Sequence, residues 1–377
     1  MKKIVIASDS FKGSVSSLEV AQSAEAAIRK VFPACEVIKI PVADGGEGTI
    51  PALVSAMNGR LISCSVHDPL MNLIQTEYGI SGDGETAIIE MASASGLTLV
   101  PQEQRNPMLT STFGTGELIK DAILRGCRNL LIGIGGSATN DAGTGMLQAL
   151  GFRFLDKDGI ELKDKGGQIL SRICSIDHSH ALSQLQETIF TIACDVNNPF
   201  SGENGAAFVY ARQKGAGDEM VRQLDRGLND FAAVIKETEQ KEIDAIPGAG
   251  AAGGLGGGFI AFLQASLKPG IQMVLDALRF DERIRNADLI ITGEGRLDRQ
   301  TGMGKTPAGV LEAGKKQHIP VIAIGGSVEE TGDLIQQGFR AVFPVQPGPV
   351  TLEQAMDKSF ACMNIERTVE QILRIML

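Results

Sequence analysis

Residues 3–49 read KIVIASDSFKGSVSSLEVAQSAEAAIRKVFPACEVIKIPVADGGEGT, and this stretch decides the fold class. Its apolar, β-branched runs at 3–7 and 37–43 predict two buried strands. Between them, Ser16 and Glu19 form a capping-box pattern, which predicts that a helix begins there. The alternation of strand and helix is typical of a parallel sheet that is covered by helices on both faces.

The C-terminal part of the chain repeats this alternation, whereas the middle does not. Strands are predicted at 289–292, 321–324 and 341–345, with helices at about 307–316, 331–337 and from Leu352 onward. The middle combines predicted antiparallel strands at about 67–92 with a mixture of further strands and helices. We therefore predict an α/β fold in which a discontinuous parallel-sheet domain (1–65 and 285–377) is interrupted by an inserted α/β domain (66–284).

The composition is that of a soluble globular protein. The chain has 377 residues, of which 43% are hydrophobic and 21% charged, and this length predicts two domains. A net charge of −10 argues against a nucleic-acid partner, and no apolar stretch approaches a membrane span. The N-terminal apolar run is too short for a signal peptide, and the six cysteines form no CxxC pair. We therefore expect a cytoplasmic protein with buried free thiols.

Acids, cations and glycines follow four predicted strands of the discontinuous domain. Parallel strands end at a common edge, and ligands of open α/β sheets bind at that edge. The residues are Asp9, Ser10, Lys12 and Gly13; Asp44, Gly45, Gly46, Glu47 and Gly48; Gly293, Glu294, Gly295, Arg296 and Asp298; and Gly325, Gly326 and Ser327. One such turn is most often explained by local backbone conformation, but four at one edge predict a binding site.

The inserted domain contains two glycine-rich segments, each of which precedes a predicted helix. Residues 133–143 read GIGGSATNDAG and follow a predicted strand, and residues 248–254 read GAGAAGG. Glycine allows a ligand to approach the backbone, and a helix N-terminus offers unpaired N–H groups to an anion. The residues predicted to bind nucleotide phosphates are Gly135, Gly136, Ser137, Asn140, Asp141, Gly250, Gly253 and Gly254.

Two familiar motifs occur in the sequence, but neither has the context that its chemistry requires. Residues 302–306 end like a Walker A loop, but the first glycine of that motif falls on Arg299. Residues 248–253 satisfy GxGxxG, yet no predicted strand precedes them, which argues against a dehydrogenase. The remaining combination of acids with glycine-rich loops fits phosphoryl transfer assisted by Mg²⁺. A non-catalytic two-lobed protein that binds small acids is the alternative from another class, although it would need export.

Several of these segments resemble the bacterial glycerate kinase family, and the similarity runs over essentially the whole chain. The matching segments are 7–12 (ASDSFK), 41–49 (PVADGGEGT), 133–141 (GIGGSATND), 193–196 (ACDV), 247–254 (PGAGAAGG) and 291–296 (ITGEGR), with Gln300-Thr301 and Gly304-Lys305. Ser8 departs from the pattern, because the family usually has Pro there. This change loosens the first turn but removes no functional group.

The resemblance implies a flavodoxin-like domain that is interrupted by a domain related to restriction-endonuclease-like folds. It also implies the phosphorylation of D-glycerate by ATP, with Mg²⁺ as cofactor, in an enzyme that we expect to be a monomer or homodimer. We favour 2-phosphoglycerate as the product, with 3-phosphoglycerate as the alternative. Since strand-end loops of both domains carry the candidate residues, we predict that the site lies in a cleft between the domains.

The chemistry of this reaction assigns roles to the candidate residues. The acceptor hydroxyl needs a carboxylate base, and the substrate carboxylate needs a cation or N–H donors. Predicted catalytic residues are Asp44, Asp195 and Lys12, and predicted metal ligands are Asp44, Asp195 and Glu294. Predicted substrate-binding residues are Asp9, Ser10, Lys12, Glu47, Arg296 and Asp298. Two structural alternatives stay open, namely that Arg296 pairs with Asp298 and that Lys12 is solvated.

Overall fold

The computed structural model describes residues 1–43, 49–302, 305–329 and 331–377. These residues form two compact units. Unit 1 consists of Met1–Met57 and Gly270–Leu377, and unit 2 consists of Asn58–Pro269. Asp44 and Glu47, which the sequence predicts as site residues, lie outside the described residues.

Strands and α-helices are numbered along the whole chain. The strands are β1 (Lys3–Ser8), β2 (Glu36–Lys39), β3 (Arg60–His67), β4 (Leu73–Ile80), β5 (Thr86–Glu90), β6 (Asn129–Gly133), β7 (Arg153–Leu155), β8 (Ser175–Asp177), β9 (Ile189–Ala193), β10 (Ser266–Lys268), β11 (Leu289–Leu297), β12 (Val321–Val328) and β13 (Ala341–Pro344). The helices are α1 (Ser17–Val31), α2 (Thr49–Ala56), α3 (Ala92–Ser95), α4 (Phe113–Leu124), α5 (Thr144–Ala149), α6 (Ala206–Tyr210), α7 (Asp218–Glu239), α8 (Ala251–Leu263), α9 (Gly270–Ala277), α10 (Phe280–Arg283), α11 (Thr306–Lys316), α12 (Thr331–Gln337), α13 (Leu352–Met356) and α14 (Lys358–Arg374). Short 3₁₀ helices lie at Leu97–Leu99, Gln102–Gln104, Gly167–Arg172, Ser183–Glu187, Arg212–Lys214 and Arg299–Gly302.

Unit 1 contains a parallel sheet in the order β13-β12-β11-β1-β2. Counted in chain order within the unit, the strands lie in the order 2-1-3-4-5, which is the flavodoxin-like arrangement. The predicted α/β fold with a parallel sheet is therefore confirmed. The strand order reverses between β1 and β11, so that the connections from these two neighbours leave in different directions.

Helices cover both faces of this sheet, which explains why its strands are apolar at successive positions. Ile4, Ile6 and Ile291 lie in one core cluster with the buried side of α1 and α14. On the other face, Gly314 of α11 approaches the side chains of Val321 and Ile290. Strands buried on both faces are expected to read as continuous hydrophobic runs, as residues 4–7 do.

Three predicted strand ends of unit 1 differ from the structure by four residues or more. The second strand is predicted to end at 43 but ends at Lys39. The sequence predicts that the third and fourth strands of unit 1 end at 292 and 324, but β11 continues to Leu297 and β12 to Val328. The extension arises because the two strands keep their parallel register, with Glu294 opposite Gly325 and Arg296 opposite Ser327. Residues that the sequence predicts in loops therefore lie on paired strands.

The predicted long final helix is in fact two helices, α13 and α14. Asp357, between them, has extended backbone angles, and its carboxylate accepts the N–H of Phe360 at 2.8 Å. This bond caps α14, so that a new helix begins instead of α13 continuing.

Unit 2 contains a mixed sheet in the order β10-β9-β6-β5-β4-β3. Strands β3 to β5 are antiparallel, which confirms the prediction for β4 and β5, while β5, β6, β9 and β10 are parallel. Strand β3 lies outside the stretch predicted as antiparallel. In the parallel part, Glu90, Gly133, Ala193 and Lys268 lie opposite one another along one line across the four strands. The loops that follow β6 and β9 therefore begin at the same edge of the sheet.

The cysteines are less buried than the sequence predicts. None of the six forms a disulfide among the described residues, but only Cys35 and Cys127 are buried, and Cys174 is exposed. Within the described ranges, no helix combines the length and the apolar character that crossing a membrane requires.

The predicted capping box of α1 is confirmed, and it provides a stability test. Ser16 accepts the N–H of Glu19 at 3.3 Å, and the Glu19 carboxylate accepts the N–H of Ser16 at 2.9 Å. Ser16→Ala is expected to lower the free energy of unfolding by about 1 kcal/mol, because the Glu19 N–H loses its cap. Urea titration measures this loss.

The matched control for this test is Ser23→Ala in the same helix. The Ser23 hydroxyl donates to the Glu19 carbonyl at 2.9 Å, and alanine has the higher helix propensity. We expect unchanged or slightly higher stability for this variant. Equal losses in the two variants would contradict the capping role of Ser16.

Candidate active site

A cavity of about 560 Å³ opens in unit 1 where the strand order reverses. Ligands of doubly wound sheets bind at such a switch point, beyond the carboxyl ends of the strands. The structure brings together at this cavity most of the candidates from the discontinuous domain. Its polar lining includes Asp9, Ser10, Lys12, Ser14, Glu294, Arg296, Asp298, Lys305, Ser327 and Gln346.

Asp9 follows β1 and is held in place by hydrogen bonds. It is 8% exposed, and its carboxylate accepts the N–H of Ser10 at 2.6 Å and the hydroxyl of Thr306 at 3.0 Å. Thr306 is the first residue of α11, so this contact ties the end of β1 to the beginning of that helix. Ser8, the departure from the family pattern, donates its hydroxyl to the Gly293 carbonyl at 3.0 Å and so joins the ends of β1 and β11.

Glu294 is a carboxyl group whose surroundings disfavour its charge. Burial raises the pKa of Glu294, and the nearby charges of Asp9 and Asp298 raise it further. The Thr301 hydroxyl, which donates to Glu294 at 2.6 Å, and the Lys305 ammonium at 3.8 Å act in the opposite direction. A carboxyl with a raised pKa in a cavity is typical of a functional group.

The cations of the cavity differ in how firmly they are held. Arg296 is 61% exposed and pairs with Glu329 at 3.0 Å and with Asp298 at 3.5 Å. The structural alternative that Arg296 pairs with Asp298 is thus present, together with a second acidic partner. Lys12 is exposed and forms no ion pair within the described part of the chain, whereas Lys305 lies at the start of α11 beside Glu294.

The chemistry of the acidic side chains fits magnesium, the metal that the family resemblance implies. Mg²⁺ binds through one or two carboxylates together with phosphate oxygens and water. Asp9, Glu294 and Asp298 supply carboxylate oxygens around one cavity. Among the described residues, however, no group of three or more His, Cys, Asp or Glu side chains is arranged so that it could hold a metal ion.

The segment after β6 in unit 2 presents open backbone. Gly135 and Gly136 are exposed, and a side chain built on Gly135 would meet nothing within 4 Å. Gly136 has a φ of +75°, the left-handed conformation that glycine favours. The N–H groups of Gly135, Gly136 and Ser137 donate to no acceptor among the described residues. Successive free N–H groups in a turn form an anion-binding nest.

Asp141 and Asn140 lie behind this segment and not at its surface. Both are fully buried. The Asp141 carboxylate accepts the N–H and hydroxyl of Thr112, each at 2.9 Å, and the N–H groups of Gly143 and Gly145. The first N–H groups of α5, which the sequence predicts as donors to phosphate, are therefore already bonded within unit 2. Burial raises the pKa of Asp141.

The glycines of the second glycine-rich segment are explained by packing against unit 2 itself. A side chain on Gly253 would lie 2.1 Å from the Thr139 carbonyl oxygen, and one on Gly250 would lie 2.0 Å from that of Pro199. A side chain on Gly254 would lie 3.0 Å from the side chains of Leu228 and Phe200 and 3.1 Å from Ala142. Gly253 and Gly254 therefore lie behind residues 139–142, where the close approach of the Gly253 and Thr139 backbones requires glycine, while Gly250 packs against Pro199.

Asp195 follows β9 and is exposed at the edge where Gly133 also ends its strand. The structure thus places Asp195 in unit 2, and Lys12 and Glu294 in unit 1. Three residues were missed by sequence reasoning as site residues, namely Lys305, Thr306 and Lys214. Lys305 and Thr306 stand at a predicted helix start, which is a usable signal, whereas Lys214 belongs to no motif.

The sequence model of the glycerate kinase family matches residues 4–377. The chain belongs to the glycerate kinase family. The glycerate kinase of Bacillus cereus is 49% identical over 374 residues, which cover 99% of this chain and 97% of that protein. Glycerate 2-kinase of Escherichia coli is 48% identical over 373 residues, which cover 97% of this chain and 98% of that protein.

A crystal structure agrees with these sequence comparisons. It comes from Salmonella typhimurium LT2 and shows a protein assigned provisionally as glycerate kinase 2. Its TM-score is 0.91 at 44% identity, and the match covers 100% of this chain and 98% of that chain. The predicted membership of the glycerate kinase family and the predicted α/β fold are therefore confirmed.

In this member of the glycerate kinase family, a pair of glycine variants tests whether the glycines of the second glycine-rich segment are needed for packing. Gly253→Ala is expected to destabilise unit 2 by about 2 kcal/mol or more beyond Gly84→Ala, as measured by urea titration. Both glycines have left-handed backbone, at φ values of +72° and +79°. Only at Gly253 would the added methyl group also meet a backbone oxygen, because a methyl group on Gly84 would have nothing within 4 Å. Equal stability of the two variants would contradict the packing explanation.

Proposed function

We propose that this chain phosphorylates D-glycerate with ATP in the presence of Mg²⁺ and forms 2-phosphoglycerate. The observation that carries the proposal is the unit 1 cavity, in which acidic and cationic side chains meet at the switch point of the sheet in a member of the glycerate kinase family. The name glycerate 2-kinase, borne by the Escherichia coli relative, supports the choice of product.

Glycerate binds, in this proposal, in the unit 1 cavity. The substrate is a small carboxylic acid with two hydroxyl groups, so it needs a cation for its carboxylate and polar acceptors for its hydroxyls. Lys12 and Lys305 line the cavity. Arg296 is paired with two carboxylates, whereas Lys305 has one carboxylate partner at 3.8 Å and Lys12 forms no ion pair within the described residues. Asp9 and Asp298 offer carboxylate oxygens that orient the hydroxyls.

ATP places its phosphates, in this proposal, at the N–H groups of Gly135, Gly136 and Ser137. The exposure of Gly135 and Gly136, and the lack of acceptors for all three N–H groups among the described residues, support this assignment. Asn140, Asp141, Gly253 and Gly254 then support the segment from behind, whereas Gly250 packs against Pro199. Mg²⁺, when bound, neutralises charge on the phosphates, and Asp9, Glu294 and Asp298 are the described residues of unit 1 that would hold it.

Phosphoryl transfer also requires a base for the attacking hydroxyl. Asp195 is exposed at the edge of the unit 2 sheet and stays a candidate, together with Asp44 outside the described residues. Transfer between sites on separate units requires the two to meet in the reacting complex. A cleft that closes around both substrates and excludes water is therefore part of the proposal.

Phosphorus NMR of the reaction mixture tests the activity and the product together. Incubation of the protein with ATP, Mg²⁺ and D-glycerate is expected to give the resonance of 2-phosphoglycerate. Appearance of 3-phosphoglycerate instead would overturn the choice of hydroxyl only. Binding of glycerate without any phosphorylated product would favour the two-lobed binding protein over the kinase.

Glu294→Gln tests the role of the unit 1 cavity. Turnover is expected to fall by roughly 10²-fold or more, the scale for a positioned acid-base or metal-organising group. Because the pKa of Glu294 is raised in the folded state, its charge destabilises the fold at neutral pH, and a neutral isostere removes that cost. The variant is therefore expected to unfold at the same or a higher urea concentration than the wild type at pH 7. This difference is expected to vanish below the ordinary pKa of a glutamate.

Glu312→Gln is the matched control for this substitution. Glu312 lies on α11 and pairs with Lys315 at 2.7 Å on the exposed side of the helix. Steady-state kinetics of this variant are expected to equal those of the wild type. Wild-type turnover in Glu294→Gln would show that the cavity carboxyl has no part in catalysis.

A further inference from the structure

Unit 2 contains a buried lysine that no motif predicts. Lys214 ends the 3₁₀ helix Arg212–Lys214 and is only 1% exposed. Its ammonium donates to the Ser137 hydroxyl oxygen at 2.7 Å and to the Thr139 carbonyl at 2.6 Å. Both acceptors are neutral, and within the described residues no carboxylate lies close enough to form an ion pair with Lys214.

A buried cation without an ion-pair partner is costly, so its presence calls for an explanation other than stability. Among the described residues, the charge of Asp141 favours the charged form of Lys214. The Asp141 carboxylate, however, already accepts hydrogen bonds from Thr112, Gly143 and Gly145. Burial lowers the pKa of Lys214 to about 7, against the opposing field of Asp141. Binding of an anion nearby would offset the cost of the buried charge.

The hydrogen-bond geometry shows where such an anion would bind. An ammonium group only donates, so the Ser137 oxygen accepts from Lys214, and the hydroxyl hydrogen of Ser137 remains available. That hydrogen has no acceptor among the described residues. It belongs to the same short segment as the three N–H groups of Gly135, Gly136 and Ser137, which likewise lack acceptors there.

We infer that Lys214 is a positioning residue for phosphate binding at residues 135–137. Through its two hydrogen bonds it fixes the segment and turns the Ser137 hydroxyl into a donor, and its charge attracts the anion without touching it. The ligand class is a polyphosphate, and ATP is its expected source. This inference rests on the proposed placement of the ATP phosphates, and neither the sequence motifs nor the family match assigns a role to Lys214.

Lys214→Met tests the inference, because methionine is similar in length, uncharged and compatible with burial. At pH 6, where Lys214 is charged, we expect the KM for ATP to rise about tenfold or more, the effect of losing one interaction with a charged group. The KM for glycerate and the turnover number at saturating ATP are expected to stay within about twofold of the wild type. Thermal stability is expected to be equal or higher, since a buried charge is removed.

Lys165→Met is the matched control in the same unit. Burial also lowers the pKa of Lys165, and Asp141 acts on it too, but it donates to Gln148 at 2.7 Å and lies over the Phe113 ring. The KM for ATP is expected to stay unchanged in this variant. A rise equal to that of Lys214→Met would overturn the inference, because it would show a general effect of removing a lysine near Asp141.

Inhibition by tripolyphosphate, which competes with ATP, tests whether Lys214 acts on the phosphates of ATP or on its nucleoside. Its inhibition constant is expected to rise in Lys214→Met in parallel with the KM for ATP. In the wild type it is also expected to rise as the pH passes about 7, because Lys214 then loses its charge.

Two other cations near Lys214 already have partners of their own. Arg212 pairs with Asp218 at 2.8 Å, and Arg105 donates to a backbone carbonyl, so neither is expected to replace Lys214 in attracting the anion.

The pH series keeps the inference testable even if Lys214→Met fails to fold. Tripolyphosphate itself gains negative charge as the pH rises, so without the titration of Lys214 its binding would not weaken. An inhibition constant in the wild type that stays flat or falls from pH 6 to 8.5 would overturn the inference. A folded Lys214→Met with wild-type constants for ATP and tripolyphosphate would do the same.

Ser137→Ala distinguishes failure of this inference from failure of the proposed function. If Ser137→Ala weakens ATP binding and Lys214→Met does not, only the role of Lys214 is overturned. If Ser137→Ala leaves ATP binding unchanged, the hydroxyl that Lys214 is proposed to orient has no part in binding, and the role of Lys214 is overturned while the proposed placement of the phosphates on the backbone N–H groups is not. If tripolyphosphate binding depends on Lys214 but no phosphoglycerate forms, the inference stands and the proposed substrate is wrong.

Discussion

The parallel pairing of β1 with β11 is the constraint on which unit 1 and its cavity depend. It runs from Ile4 opposite Leu289 to Ser8 opposite Gly293 and joins segments 285 residues apart. The entropic cost of closing a loop grows only slowly with its length, so a whole unit between the two strands adds little to that cost. Burial of apolar strand residues such as Ile4 on both sheet faces offsets it.

This pairing also determines which side chains meet. Since α1 and α11 cover opposite faces, the chain diverges beyond the ends of β1 and β11 and leaves a crevice. Asp9 enters the crevice from β1, and Glu294 enters it from the extended part of β11. Their mutual repulsion contributes to the raised pKa of Glu294, and Lys305 opposes it. The polar character of the cavity is thus a consequence of strand order.

Much of the fold follows from local sequence, because strands and capped helices are local features. The capping box at Ser16 and the apolar run at 3–7 are of this kind, and both were predicted correctly. The extension of β11 was not predictable, since Glu294 and Arg296 resemble loop residues until their pairing with β12 is known. Candidate site residues that follow the same strand could likewise be recognised as neighbours from the sequence. Lys214 is 77 residues from Ser137 and meets it only in the folded structure.

Glycine-rich sequence alone does not distinguish an open backbone segment from a tightly packed one, and unit 2 contains one of each. At Gly135 the space beside the backbone is open, while at Gly253 it is filled by the Thr139 carbonyl. The segment that contains Gly253 therefore packs against the residues that follow Gly135 and Gly136, and Lys214 donates a hydrogen bond to the same Thr139 carbonyl. A segment that is confined from behind by backbone and by a buried cation keeps its N–H groups oriented before any ligand arrives. Because little reorganisation then remains for the binding step, such preorganisation favours an anion over water at the same place.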